Sequence, residues 1–296
     1  MIMECFICNN TNTFRPLSPD ICKEENFLCQ SCGLVFIPRA QSMQDYYKDD
    51  GYYEESPNKG LRENVVSPKL LEQLGKERMQ QIFDAVDIDF KNKRVLDVGC
   101  GYGHLLYAIQ QEHNATVMGI EPSPKVAELG TKMFGVEIQP ILLEEFEPEE
   151  GFDIVLCNHT LEHVDDPVGF LNSLKNVLSD DGVLYVEVPN VMKPTGGFTL
   201  DAFLYNEHLQ TFSEDNLSKL FNSSGLGVLD YDATTFLKFL VKPDSKDKKE
   251  TQDISPPEVY NFLVEYKNNY GIGNHVEVYY GKFKYLLKAI RYKLAR

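Results

Sequence analysis

The sequence predicts an α/β protein built on a doubly wound, mostly parallel sheet, and three observations carry that expectation. Residues 95–106, VLDVGCGYGHLL, read as a short buried strand that runs into a glycine turn and then a helix. Further apolar runs alternate with amphipathic stretches of helical period as far as residue 241, the pattern of parallel βαβ units. Two Cys-x-x-Cys pairs precede all of this and mark a separate small module.

The elements follow in order. Gly99, Gly101 and Gly103 alternate with other residues at the first strand end, where the lack of a Cβ lets a ligand lie against bare backbone. His104 stands where a dinucleotide fingerprint requires its third glycine. Asp97 sits just before the first glycine, where it repels a diphosphate and suits a cationic amino-acid group. The second apolar run, residues 116–120, ends in Glu121, placed to accept both hydroxyls of a ribose. A third run at 152–157 leads into residues 158–163, NHTLEH, and Asp166-Pro167 reads as an N-cap with proline in the first helical turn. Residues 181–188 form the next strand, entered through a turn.

DVGCGYG closely resembles the first motif of class I S-adenosylmethionine-dependent methyltransferases. FDIVLCNHTLEHVDDP and DDGVLYVEVPN resemble that family's later segments, in order and at normal spacing. The resemblance implies a seven-stranded, Rossmann-like methyltransferase sheet with S-adenosylmethionine as cofactor. It assigns Asp97, Gly99, Gly101, Tyr102, Glu121, Pro122, Asn158 and His159 to the donor. In this family an acid after the third strand often reads the adenine, yet residues 139–143 carry none before Glu144 and Glu145. Adenine is then held by backbone groups or by one of those two glutamates.

The N-terminal pairs, Cys5/Cys8 and Cys29/Cys32, have the spacing of two knuckles that together complete the tetrahedral sulfur shell of structural zinc. Seven cysteines in 296 residues and no apolar N-terminal segment argue against a disulfide framework and for a cytoplasmic location. Cys22 is read as a spare, and Cys100 and Cys157 as small buried residues. The chain divides into a zinc ribbon (1–40), a tyrosine-rich helical connector (41–90), the methyltransferase domain (91–241), and a linker with a helical extension (242–296). A net charge of −16 opposes nucleic-acid partners, because neutralising many phosphates needs a basic face. Residues 281–296 run against that trend, with Lys282, Lys284, Lys288, Arg291, Lys293 and Arg296 set among apolar residues at helical spacing. This basic amphipathic helix suits either peripheral contact with the inner face of an anionic membrane or packing on an acidic protein body. No apolar run approaches the roughly 20 residues that span a bilayer.

The acceptor side is sought beyond the strand ending near Val188, where loops at strand C-termini form the crevice of such folds. Residues 203–208, FLYNEH, offer His208 as a base of ordinary pKa about 6.5, with Glu207 or Tyr205 to orient it or to bind substrate oxygens. The ribbon, the connector tyrosines Tyr46, Tyr47, Tyr52 and Tyr53, the core and this Tyr-x-Glu-His motif together resemble bacterial deoxysugar C-methyltransferases. Those relatives also carry a C-terminal α/β domain that this chain lacks. The resemblance implies catalytic roles for Tyr205, Glu207 and His208 and methyl transfer to a small sugar-type substrate or glycan precursor, on oxygen or carbon. His159 and His163 flank the donor cleft in this reading. The rival readings are an rRNA or tRNA methyltransferase, a non-catalytic scaffold that binds the donor, and an NAD-dependent oxidoreductase.

Overall fold

The strand that ends in the glycine motif lies near the centre of a seven-stranded sheet in the computed structural model, which describes residues 4–38, 42, 44–48, 67–194, 199–245 and 249–269. Three short strands come first, β1 (Phe14–Pro16), β2 (Phe27–Cys29) and β3 (Val35–Phe36), then helices α1 (Gln44–Lys48) and α2 (Pro68–Ala85). The alternating region follows as β4 (Arg94–Val98), α3 (His104–His113), β5 (Thr116–Ile120), α4 (Pro124–Phe134), β6 (Ile138–Gln139), β7 (Phe152–Asn158), α5 (Pro167–Asn176) and β8 (Leu178–Val188). The remainder is α6 (Leu200–Phe203), β9 (Gln210–Thr211), α7 (Glu214–Ser223), β10 (Leu226–Asp232), β11 (Leu237–Pro243) and α8 (Pro256–Asn269).

The large sheet runs β10-β11-β8-β7-β4-β5-β6, with only the β10–β11 and β11–β8 pairs antiparallel. Four of the five β4 residues are buried, as expected of a strand covered by helices on both faces. Chain order reverses between β4 and β7, and ligands of open α/β sheets bind at such a switch point. Local signals set the helix starts. Ser123 accepts from Val126 N ahead of α4, Asp166 accepts from Gly169 N ahead of α5, and Ser213 with Asn216 closes a capping box on α7. Strand β8 starts at Leu178, three residues before the expected entry, because Phe152 pairs with Leu178 before the register shifts.

The N-terminal strands form a second sheet, β1-β2-β3-β9, all antiparallel. Its fourth strand comes from the chain that follows β8, with Val35 opposite Thr211 and Phe36 opposite Gln210. Helix α8 packs Val259 and Leu263 among Leu17, Leu28 and Phe203 in a shared apolar cluster, and the Arg15 guanidinium lies 3.3 Å over the Tyr260 ring. No helix among the described residues is long and apolar enough to cross a membrane. The basic stretch 281–296, along with Tyr52 and Tyr53, lies outside the described residues.

Helix α2 reaches the glycine motif through Gly75, where an added Cβ would stand 2.1 Å from the backbone oxygen of His104. Backbone cannot give way as a side-chain tip does, so Gly75→Ala should push α2 off α3 and destabilise the protein by about 1–3 kcal/mol, read as a lowered denaturation midpoint in urea.

Candidate active site

A cavity of about 410 Å³ opens at the switch point, within the size range of small-molecule sites. Gly99, Gly101, Tyr102, Glu121, Pro122 and His159 line it. Gly99 has φ +78°, and a Cβ there would meet the Thr160 hydroxyl at 2.4 Å, so the turn after β4 admits only glycine. Glu121, 4% exposed, accepts from Gly101 N and Ser123 N, each at 3.0 Å. Those bonds fix the carboxylate at the cavity wall.

Asp97 and Asn158 stand behind this wall at the tips of neighbouring β4 and β7, with Asn158 Nδ2 donating to Asp97 Oδ1 at 3.3 Å. Burial raises the Asp97 carboxyl to about 7, against the lowering effects of the Asn158 bond and the Arg78 charge. Asn158 Oδ1 and His104 Nδ1 are buried without a hydrogen-bond partner among the described residues. Buried polar atoms without partners beside a fixed carboxylate suit a ligand that carries hydroxyls and a cation. Glu144 also lines the cavity, whereas Glu145 is drawn off to Lys48 at 2.6 Å.

His208, Glu207 and Tyr205 gather on the loop before β9 and do not line the cavity. His163 joins the two regions. It lines the cavity, its Nδ1–H donates to Glu207 O at 2.8 Å, and its ring meets His208 edge-on at 5.1 Å. His208 Nδ1–H donates to Phe203 O at 2.9 Å. Burial, then the interaction with His163, push the His208 pKa down to about 3, below the ordinary value on which its choice as a base rested, so the ring is neutral near neutral pH but a weaker base than expected. The Tyr205 ring lies 4.3 Å from that of His208, and Tyr46 of α1 donates to Glu207 Oε1 at 2.9 Å.

A buried charge chain absent from the sequence reading ties these parts together. Glu187 on β8 is fully buried and accepts from Arg78 at 2.7 Å and from the Tyr185 hydroxyl at 2.8 Å. His159, at φ +52°, lies between Glu187 and Glu162, 3.2 Å from each. Burial disfavours charge on His159, but the bonds to Glu162 and Glu187 outweigh it and push the pKa up to about 9. Burial likewise acts to raise Glu187, and the His159 bond and Arg78 hold it down to about 2. Gln44 and Tyr47 of α1 also face the cavity. Nothing local in the sequence flags these residues, since Arg78 and Glu187 lie 109 positions apart.

The sign of the pH dependence follows. Glu187, depressed from 4.5, stabilises the fold above its unfolded value, and that stability is lost as pH falls towards about 2. His159, raised from 6.5, stabilises it below that value and loses the contribution as pH rises through about 9. Glu187→Gln, which leaves Arg78 and His159 short of a counter-charge, should cost about 3–5 kcal/mol in denaturant unfolding and remove much of the acid-limb and alkaline-limb variation of the melting temperature.

Comparison with known proteins places this geometry. A ubiquinone biosynthesis O-methyltransferase of Histophilus somni is 35% identical over 133 residues, covering 41% of this chain and 55% of that protein. A tRNA U34 carboxymethyltransferase of Shewanella baltica is 34% identical over 104 residues, covering 33% of this chain and 31% of that protein. The chain thus spans about half or less of the length of these curated relatives. In fold it resembles the 1,6-didemethyltoxoflavin-N1-methyltransferase of Burkholderia thailandensis, solved with S-adenosylhomocysteine, at a TM-score of 0.50 and 17% identity over 74% of this chain and 96% of that one. Residues 70–231, more than half of the chain, match the family described as a methyltransferase domain, and the chain belongs to that family.

Proposed function

We propose that this protein transfers a methyl group from S-adenosylmethionine to oxygen or acidic carbon of a small, sugar-type acceptor. The observation that carries the reading is a cavity at the switch point walled by the buried Glu121 carboxylate, with His163 on its lining and the His208 ring edge-on to His163 at 5.1 Å. Glu121 would hold the ribose hydroxyls and Asp97 the amino-acid end, with Gly99, Gly101, Tyr102, Pro122, Asn158 and His159 completing the donor side. The donor supplies an electrophilic methyl group on a sulfonium. On the acceptor side His208 Nε2 is the base: it takes the acceptor's proton as the freed electron pair attacks the methyl carbon in line. Glu207, held by Tyr46, and Tyr205, against the His208 ring, orient the base and the acceptor oxygens.

A tRNA acceptor, which the name of one relative brings to mind, is opposed by the net charge of −16, since polyanion binding draws on phosphate neutralisation. The four N-terminal sulfurs suit structural zinc. Cys5 and Cys32 Sγ atoms lie 3.6 Å apart, as do those of Cys8 and Cys29. That spacing excludes disulfides and is close to the edge of a tetrahedron with metal–sulfur bonds of about 2.3 Å. Cys22 stands apart, donating to Glu24 O. In this reading residues 1–40 form the zinc ribbon, and reduced thiols suit a cytoplasmic setting.

Calorimetric titration with S-adenosylmethionine, S-adenosylhomocysteine and NAD should give binding for the first two alone, lost in Asp97→Ala; NAD binding without the sulfur ligands would sink the proposal. Because Asp97 must be ionised to meet the ligand's ammonium, affinity should rise as pH passes upward through about 7 and level off above it, and Asp97→Asn should lack that rise. Chelation should release one zinc per chain, measured by mass spectrometry of the metal. It should also raise hydrogen exchange in residues 5–36 and, through the β3–β9 pairing, in residues 203–212, because metal binding and local folding are linked.

A further inference from the structure

Glu162 and His163 share one 3₁₀ turn, Leu161–His163, and His208 approaches it from the loop before β9. One ligand atom from each of the three lies within 4.8 Å of the others, and His163 Nε2 stands 3.8 Å from Glu162 Oε1. Both rings give their Nδ1 proton to a backbone carbonyl, of Glu207 and of Phe203. With Nδ1 so engaged, Nε2 is the ring atom a metal would take, and donation of the opposite N–H is the arrangement that fixes metal-bound histidines. Glu162 is 1% exposed. Its Oε1 meets His159, while Oε2 has no hydrogen-bond partner among the described residues.

A buried carboxylate oxygen left unpaired is costly, and a cation held between Glu162 Oε2 and the two ring nitrogens would answer it. The turn that carries them is held rigid, because the Gln210 amide donates to both Leu161 O and Val164 O at 2.8 Å and Leu209 N donates to Glu162 O at 2.9 Å. Two imidazoles and one carboxylate match borderline ions such as Zn²⁺ and Co²⁺ better than Mg²⁺ or Ca²⁺, which favour all-oxygen shells. Three protein ligands also leave a coordination position open, the mark of reactive rather than structural sites.

We propose that Glu162, His163 and His208 form a divalent-cation site of the zinc class beside the donor cavity, distinct from the four-cysteine cluster. The proposal rests on reading this face as the acceptor side. An ion there occupies the His208 lone pair that proton abstraction uses, so ion and acceptor proton are alternative occupants of the same atom. Occupancy then decides whether His208 acts as base or as ligand.

The test is titration of the full chain, its ribbon zinc retained, with Co²⁺, followed by metal stoichiometry and visible absorption. The expected result is one further equivalent per chain, with cobalt bands of nitrogen and oxygen ligands and no thiolate charge-transfer band. That equivalent should vanish in His208→Ala and in Glu162→Gln, with ribbon zinc and helical circular dichroism retained as the sign of folding, and persist in Asp97→Ala. Absence of a second equivalent, or its survival in both ligand variants, would overturn the site. The functional reading fails separately, through loss of S-adenosylhomocysteine binding. If the site is filled and methyl transfer slows as Co²⁺ is added, both readings stand; if transfer speeds up, the site stands and His208 is not the base.

Discussion

Glu187 sits in the interior of the sheet with none of its side chain exposed, and a carboxylate remains ionised in such a place only if its charge and its lone pairs are answered. Three different elements answer them. Arg78 comes from α2, Tyr185 from the same strand, and His159 from the turn after β7. The consequence reaches well beyond one ion pair. To meet Glu187, His159 takes a positive φ, an arrangement that L-residues avoid unless the surroundings over-determine it. That turn carries Thr160 against Gly99 and sets the 3₁₀ turn with Glu162 and His163. The rim of the cavity and the turn that carries His163 thus hang on one buried acid.

Because His159 is shared between Glu187 and Glu162, it couples two carboxylates that would otherwise repel across the cavity rim. Arg78 reaches the same centre from a helix that stands outside the sheet and approaches the glycine motif through Gly75. The connector is therefore part of the site's electrostatics. It also contributes Gln44 and Tyr47 to the cavity and Tyr46 to Glu207.

What could be read in the sequence was whatever a local pattern enforces. Asp97 and Glu121 were legible because an acid at the end of an apolar strand can lie only at the sheet's edge, where ligands bind. The glycine turn, the Asp166 cap and the sulfur pairs were visible for the same reason, since each is a rule acting over a few residues. The charge chain was invisible: Arg78 looks like any helix arginine, and Glu187 like any polar residue in an apolar strand. Strand β9 is two residues long and has no periodicity to betray it. His163 was recognised as a neighbour of the donor cleft, but its contact with His208 arises only when residues 45 positions apart fold onto one another.

That short strand explains why a small sulfur-rich module matters to a cavity that it does not line. The ribbon's last strand, β3, pairs with β9 through Val35–Thr211 and Phe36–Gln210, and Ile37 N donates to Leu209 O. Gln210 is the residue whose side chain clamps the Leu161–His163 turn, and His208 precedes it by two. Order in the ribbon is thus transmitted along a single backbone register to both halves of the histidine cluster. An isolated two-residue strand has too few bonds to offset the entropy of fixing the loop that carries it; it holds only because its partner sheet is already fixed. The cavity at the switch point, built on β4, β5 and β7, needs no such support, so the cavity and the histidine cluster rest on different foundations.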